Sequence, residues 1–88
     1  MAVYVHDGRH RFSRYMTGLM LADSLDELHA MADRISVPRG WFRSRWLPHY
    51  DLPHAMLKRA VAAGARPVAW EDMFAVVRRL RRVYGARR

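Results

Sequence analysis

The sequence predicts a small α/β or α+β domain: a sheet of three to four short strands, with about three helices packed on it as a single layer pair. Three observations carry this expectation. Short β-branched and aromatic stretches alternate with stretches whose apolar residues recur every three or four positions. Ser24, Pro38 and Gly64 stand where helices start and stop. The chain has 88 residues, 51% hydrophobic and 11% aromatic, enough for one domain with a modest core.

Residues 2–6 (Ala-Val-Tyr-Val-His) read as a strand and Asp7-Gly8 as a turn. Residues 9–14 form a basic connector, and 15–22 resume an apolar run best read as a buried strand. Ser24-Leu-Asp-Glu27 is a capping box, in which the Ser24 hydroxyl accepts from the amide three residues on and Glu27 reaches back. The helix it opens places Leu25, Leu28, Met31, Ala32 and Ile35 on one face and stops by Val37, because Pro38 disfavours helical geometry in the residue before it.

A loop is expected over 38–48, then a short extended piece at 49–51. Asp51 would cap a second helix, with Pro53 in its first turn and Gly64 as its stop. Ala65 to Trp70 reads as another strand. Glu71 and Asp72 open a third helix that buries Met73, Val76, Val77, Leu80 and Tyr84. Arg78, Arg79, Arg81 and Arg82 close it, which suits the helix dipole at both ends. The whole of 1–88 is one domain, with 84–88 as a frayed tail.

Charge and cysteine content narrow the function. Sixteen Lys+Arg against eight Asp+Glu give a net charge of +8, and every cation except Lys58 is an arginine. Arginine offers a planar fork that matches phosphate and stacks on aromatic rings, so a phosphate-bearing partner is favoured. A GC-rich coding sequence is the plain alternative. There is no cysteine, which excludes disulfides and thiolate metal sites. No apolar run approaches the ~18 residues of a membrane span, and the N-terminus lacks a signal-peptide core. The expectation is a cytoplasmic protein with no membrane partner and no cofactor. A homo-oligomer fits the apolar content of so small a core, although an adequate monomer core explains the same numbers.

The segment Pro38 to His54 mixes Trp41, Phe42, Trp46 and Tyr50 with Arg39, Arg43, Arg45, His49 and His54. Aromatic faces beside guanidinium groups suit a ligand with a flat ring and a phosphate. Arg39, Arg43 and Arg45 would clamp the phosphate, joined by Lys58 and Arg59 at the start of the second helix. Trp46 and Tyr50 would stack, while Trp41 and Phe42 are assigned to the core. His49 and Asp51 would hydrogen-bond a sugar or base edge. Each also has a structural reading: the three arginines as a solvated loop, Asp51 as a cap, His49 as a hydrogen-bonded core residue.

The opening Val3-Tyr4-Val5 with Asp7, the run Ala22 to Ala32, Trp41-Phe42, His49-Tyr50-Asp51, Lys58-Arg59-Ala60 and Ala63-Gly64-Ala65 together resemble a small domain-of-unknown-function family of actinobacteria and their phages. The resemblance spans roughly residues 2–70 and implies no assigned activity. The family pattern has two acids after the first strand where this chain has His6-Asp7. By analogy, a phage setting brings in small proteins that sequester nucleotide signals made by host immunity.

The leading expectation is therefore a non-catalytic binder of a phosphate-bearing, ring-containing ligand, in concrete form a protein that captures a nucleotide-derived signal. A second is a nucleic-acid-binding accessory protein that uses Arg78, Arg79, Arg81 and Arg82. A third is a small hydrolase or nuclease centred on His49, Asp51 and Asp7, in which His6 could join a metal site or an acid/base pair. A protein–protein inhibitor of a host factor is the fourth. No Gly-rich phosphate loop, zinc spacing or nucleophile elbow is present in the sequence, so an enzyme is the minority reading.

Overall fold

The computed structural model describes residues 2–12, 15–44 and 47–85. Its spine is an antiparallel pair, β1 (Val3–Phe12) and β2 (Tyr15–Ala22). Asp7-Gly8 is not the expected turn but lies inside β1. His6 faces Leu19 and His10 faces Thr17, so β1 advances four residues where β2 advances two. A bulge absorbs the turn-prone pair without reversing the chain. The expected connector is thus strand as far as Phe12, and Arg14 lies outside the described residues.

Helix α1 (Leu25–Arg34) starts as the capping box predicts. The Glu27 amide donates to Ser24 Oγ at 3.2 Å, and that hydroxyl donates to Glu27 Oε1 at 3.0 Å. Its end is a Schellman turn. Ser36 takes φ +63°, and the Ser36 and Val37 amides donate to the Asp33 and Ala32 carbonyls. Instead of a continuous loop, a single 3-10 turn (Arg39–Trp41) leads into a two-residue strand, β3 (Phe42–Arg43).

β4 (His49–Pro53) runs straight into α2 (His54–Ala62). Asp51 is therefore not a helix cap. It stays in the strand opposite Leu19, and Pro53 takes the cap position with no side-chain capping bond. α2 ends on a second Schellman turn, with Gly64 at φ +112° and the Gly64 and Ala65 amides donating to Val61 and Ala60. Only Arg66–Pro67 form β5 of the strand expected over 65–70. Pro67 has no amide to extend the ladder, although the Val68 amide still reaches the Val5 carbonyl at 2.8 Å.

The fold is α+β: among the described residues, a five-stranded sheet in the order β3-β4-β2-β1-β5 with three α-helices, the third being α3 (Trp70–Gly85). β5 joins β1 in parallel and the other pairs are antiparallel. Rather than a single layer pair, the sheet is apolar on both faces. Val3, Val5, Met20, Ala22, Tyr50 and Leu52 meet α1 and α2 through Leu28, Met31, Ala32, Leu57 and Ala60. Leu21 with Tyr4 and Leu19 meets α3 through Met73, Leu80, Val76 and Val77. Alternation along β1 and β2 puts an apolar residue at both parities, and each face needs its own cover.

Tyr84 is not part of a frayed end. It is half-buried and its hydroxyl donates to the Ala22 carbonyl at 2.8 Å. No helix among the described residues is long and apolar enough to cross a membrane.

Candidate functional site

The sheet order disperses the ligand segment expected from the sequence. β3 carries Arg43 and lies at one edge, while β5 lies at the other. Four interstrand spacings of ~4.8 Å separate them by about 19 Å. Lys58 faces the β5 edge, so it cannot share one phosphate with Arg39 and Arg43 as the sequence suggested.

The individual side chains sharpen this correction. Arg39 holds Asp33 through Nη2 at 3.1 Å, which keeps the Asp33 carboxyl below its usual range and raises the guanidinium. The Arg43 guanidinium lies 3.4 Å from the carbonyls of its own neighbours, Gly40 and Phe42. Arg45 and Trp46 lie outside the described residues.

Tyr50 offers no stacking face: it is fully enclosed, with its ring against Phe42 and His29. Its hydroxyl is hydrogen-bonded to His29 Nδ1 at 2.8 Å, and burial raises its ionisation above the ordinary phenol value. Phe42 packs on the core as expected, whereas Trp41 is exposed.

His49 is buried, and its Nδ1–H donates to the Leu47 carbonyl at 2.7 Å. That bond fixes the neutral ring's lone pair on Nε2, which stands 3.6 Å from Asp51 Oδ2. His49 and Asp51 occupy the sheet face that α3 covers, since Asp51 pairs with Leu19. His6 pairs with the same Leu19, so His6, Leu19 and Asp51 form one row across three strands, with an apolar residue between the two polar ones. No group of three His, Cys, Asp or Glu among the described residues is placed to hold a metal ion. The Asp7 side chain lies outside the described part.

What the fold does build is a cleft of about 560 Å³ where α2 meets the β1–β5 edge. Its walls are apolar, from Val5, Leu57, Val61 and Val68. Its polar groups are His6, His54 and Lys58. His6 is held rigidly, with Nδ1–H donating to the Val68 carbonyl at 2.9 Å. His54 begins α2, whose first turn contains no acidic residue and whose N-terminus has no side-chain cap. Helix amides, the positive end of the dipole and Lys58 in the next turn therefore add at one mouth of the cleft. Arg59 lies one residue on and is exposed, its guanidinium near Met56 Sδ at 3.9 Å.

A family model described as a protein of unknown function, DUF4031, matches residues 3–82. The chain belongs to that family. No curated protein and no solved structure matches it. The DUF4031 match takes in both sheet edges, all of the cleft and all but the last turn of α3.

Within this DUF4031 domain the four arginines of α3 do not act alike. Arg79 turns onto the sheet. Its Nη2 donates to the Tyr4 hydroxyl at 2.8 Å and to Asp23 Oδ1 at 3.0 Å, and the guanidinium sits 5.6 Å from the Tyr4 ring centre. Asp23 also accepts from the Ala2 amide at 2.9 Å. Arg79 is thereby tied to the fold although, like Arg78, Arg81 and Arg82, it is exposed.

His6 and His54 were the residues sequence reasoning undervalued. Strand parity placed His6 beside a buried face, but its partner Val68 is 62 residues away. Nothing local announces such a contact.

Proposed function

We propose that this chain is a non-catalytic binder of a phosphate-bearing, ring-containing ligand, seated in the cleft between α2 and the β1–β5 edge. The observation that carries the reading is the cleft's composition. Apolar walls of Val5, Leu57, Val61 and Val68 surround one pole that gathers His54, Lys58 and the uncapped start of α2. Its volume of about 560 Å³ suits a small molecule of nucleotide size. A flat ring between the aliphatic walls is driven in by loss of hydrated apolar surface. The phosphate meets helix amides and the Lys58 ammonium. His6, held by its Nδ1 bond to the Val68 carbonyl, closes the β1–β5 side of the cleft. In its most concrete form the ligand is a nucleotide or a nucleotide-derived signal.

Calorimetric titration with mononucleotides, cyclic nucleotides and ADP-ribose tests this. Lys58→Gln removes a charge-assisted bond worth about 1.5–3 kcal/mol and should weaken binding roughly ten- to a hundredfold. Arg39→Gln, at the opposite sheet edge, should leave affinity unchanged. Equal loss in both variants, or loss in Arg39→Gln alone, would move the site away from the cleft.

A further inference from the structure

The outer face of α3 carries a second arrangement that owes nothing to the cleft. At 3.6 residues per turn, Phe74, Arg78, Arg81 and Arg82 fall within an arc of about 100°. That arc lies away from Met73, Leu80 and Tyr84, which face the sheet. Phe74 is 51% exposed, the most exposed large hydrophobic residue among the described ones, and the three arginines are exposed. No acidic residue stands three or four positions from any of the three arginines. Among the described residues, none of them has a carboxylate at ion-pair distance.

Three arginines left without carboxylates on a protein of net charge +8 are an electrostatic surface rather than a set of internal ties. Arg79 shows the contrast. It is the one member of the run spent on the fold, through Asp23 and Tyr4. An exposed ring at the head of the arginine row adds what a phosphate surface alone lacks, a face on which an unpaired base can stack.

We infer that this face of α3 binds single-stranded nucleic acid, with Arg78, Arg81 and Arg82 on consecutive phosphates and Phe74 stacked on a base. A duplex presents phosphates but keeps its bases stacked inside, so it engages the arginines without Phe74. The arc spans about 12 Å along the helix, at 1.5 Å per residue from Phe74 to Arg82, which makes the footprint short and the binding sequence-tolerant.

The experiment is fluorescence anisotropy with a labelled mixed-sequence single-stranded DNA 20-mer, over a salt series, with the same sequence as duplex in parallel. Three phosphate contacts contribute about −2 to the slope of log K against log salt, at about 0.7 per contact for single strands. The triple variant R78Q/R81Q/R82Q should lose about that slope and bind at least tenfold more weakly at low salt. Its lysine counterpart R78K/R81K/R82K should keep the slope. Phe74→Leu keeps apolar bulk and removes the ring; it should weaken binding roughly tenfold with the slope unchanged. Circular dichroism and melting curves confirm that each variant is folded, and Lys58→Gln should leave oligonucleotide binding unaltered. The inference is overturned by tighter binding to the duplex, by an unchanged slope in the glutamine variant, or by no binding at low salt.

Discussion

Leu57 of α2 seats against the backbone of Gly18 in β2. A Cβ added at Gly18 would collide with both Leu57 Cδ atoms and with the His6 carbonyl. Glycine stands in mid-strand because a helix side chain and a neighbouring strand's carbonyl already fill the space a side chain would need. Leu57 and His6 also line the cleft, so one residue without a side chain sets how closely α2 approaches β1.

Gly18→Ala is accordingly expected to destabilise the protein by about 1–3 kcal/mol, the usual cost of overpacking. Urea denaturation measures it. Since Leu57 must give way, nucleotide affinity should fall as well. Unchanged stability would mean that α2 lies farther from β2 than described.

Asp23 is the hub that joins the N-terminus, β1 and α3. It accepts from the Ala2 amide, the Tyr4 hydroxyl and Arg79. Asp23→Ala strands several donors and should cost about 1–3 kcal/mol. Arg79→Gln removes a half-exposed partner whose charge is screened and should cost no more than about 1 kcal/mol. A double-mutant cycle by thermal melting checks the coupling; strict additivity would show that the two do not share a network.

Tyr50 carries the pH dependence. Burial raises its folded-state ionisation above the ordinary value of 10.0, so the unfolded chain gives up this proton more readily. Stability from the neutral phenol is fully present below pH 10 and is lost as pH rises through the folded value. Tyr50→Phe deletes the hydroxyl and its bond to His29, at a cost of about 1 kcal/mol near neutrality. The gap between the two proteins should narrow as pH passes 10. A gap that stays constant across that range would contradict the assignment to Tyr50.

Much of the fold was legible in local chemistry. The Ser24–Glu27 box and the Gly64 stop depend on residues within a turn of each other, and both helices formed where those signals stood. The bulge at Asp7-Gly8 was not legible, because a pair that favours a turn is also tolerated in a strand whose partner continues past it. Pairing of β5 with β1 is parallel and joins residues about 60 apart, so no hairpin signal exists for it.

The site divides in the same way. Lys58 was readable as part of an anion site from its place near a helix start. Its company was not, because sequence neighbours such as Arg39 and Tyr50 are carried to the far edge or into the core. The run Arg78 to Arg82 shows the rule at one-residue scale: only the register of α3 on the sheet decides that Arg79 points to Asp23 while its neighbours face outward.

The cleft between α2 and the β1–β5 edge is proposed to take a phosphate-bearing ring ligand. A thermal-shift series with mononucleotides, cyclic nucleotides and ADP-ribose, repeated at about 0.5 M salt, tests it most directly, since surface attraction is screened there and a seated ligand is not. A ligand at about 100 times its Kd adds about 2.7 kcal/mol to the folded state, which raises the melting temperature of a domain this size by roughly 10 °C or more. Such a shift is expected with at least one small nucleotide, retained at high salt and lost in Lys58→Gln. No shift with any of them, or shifts that vanish with salt, would contradict it.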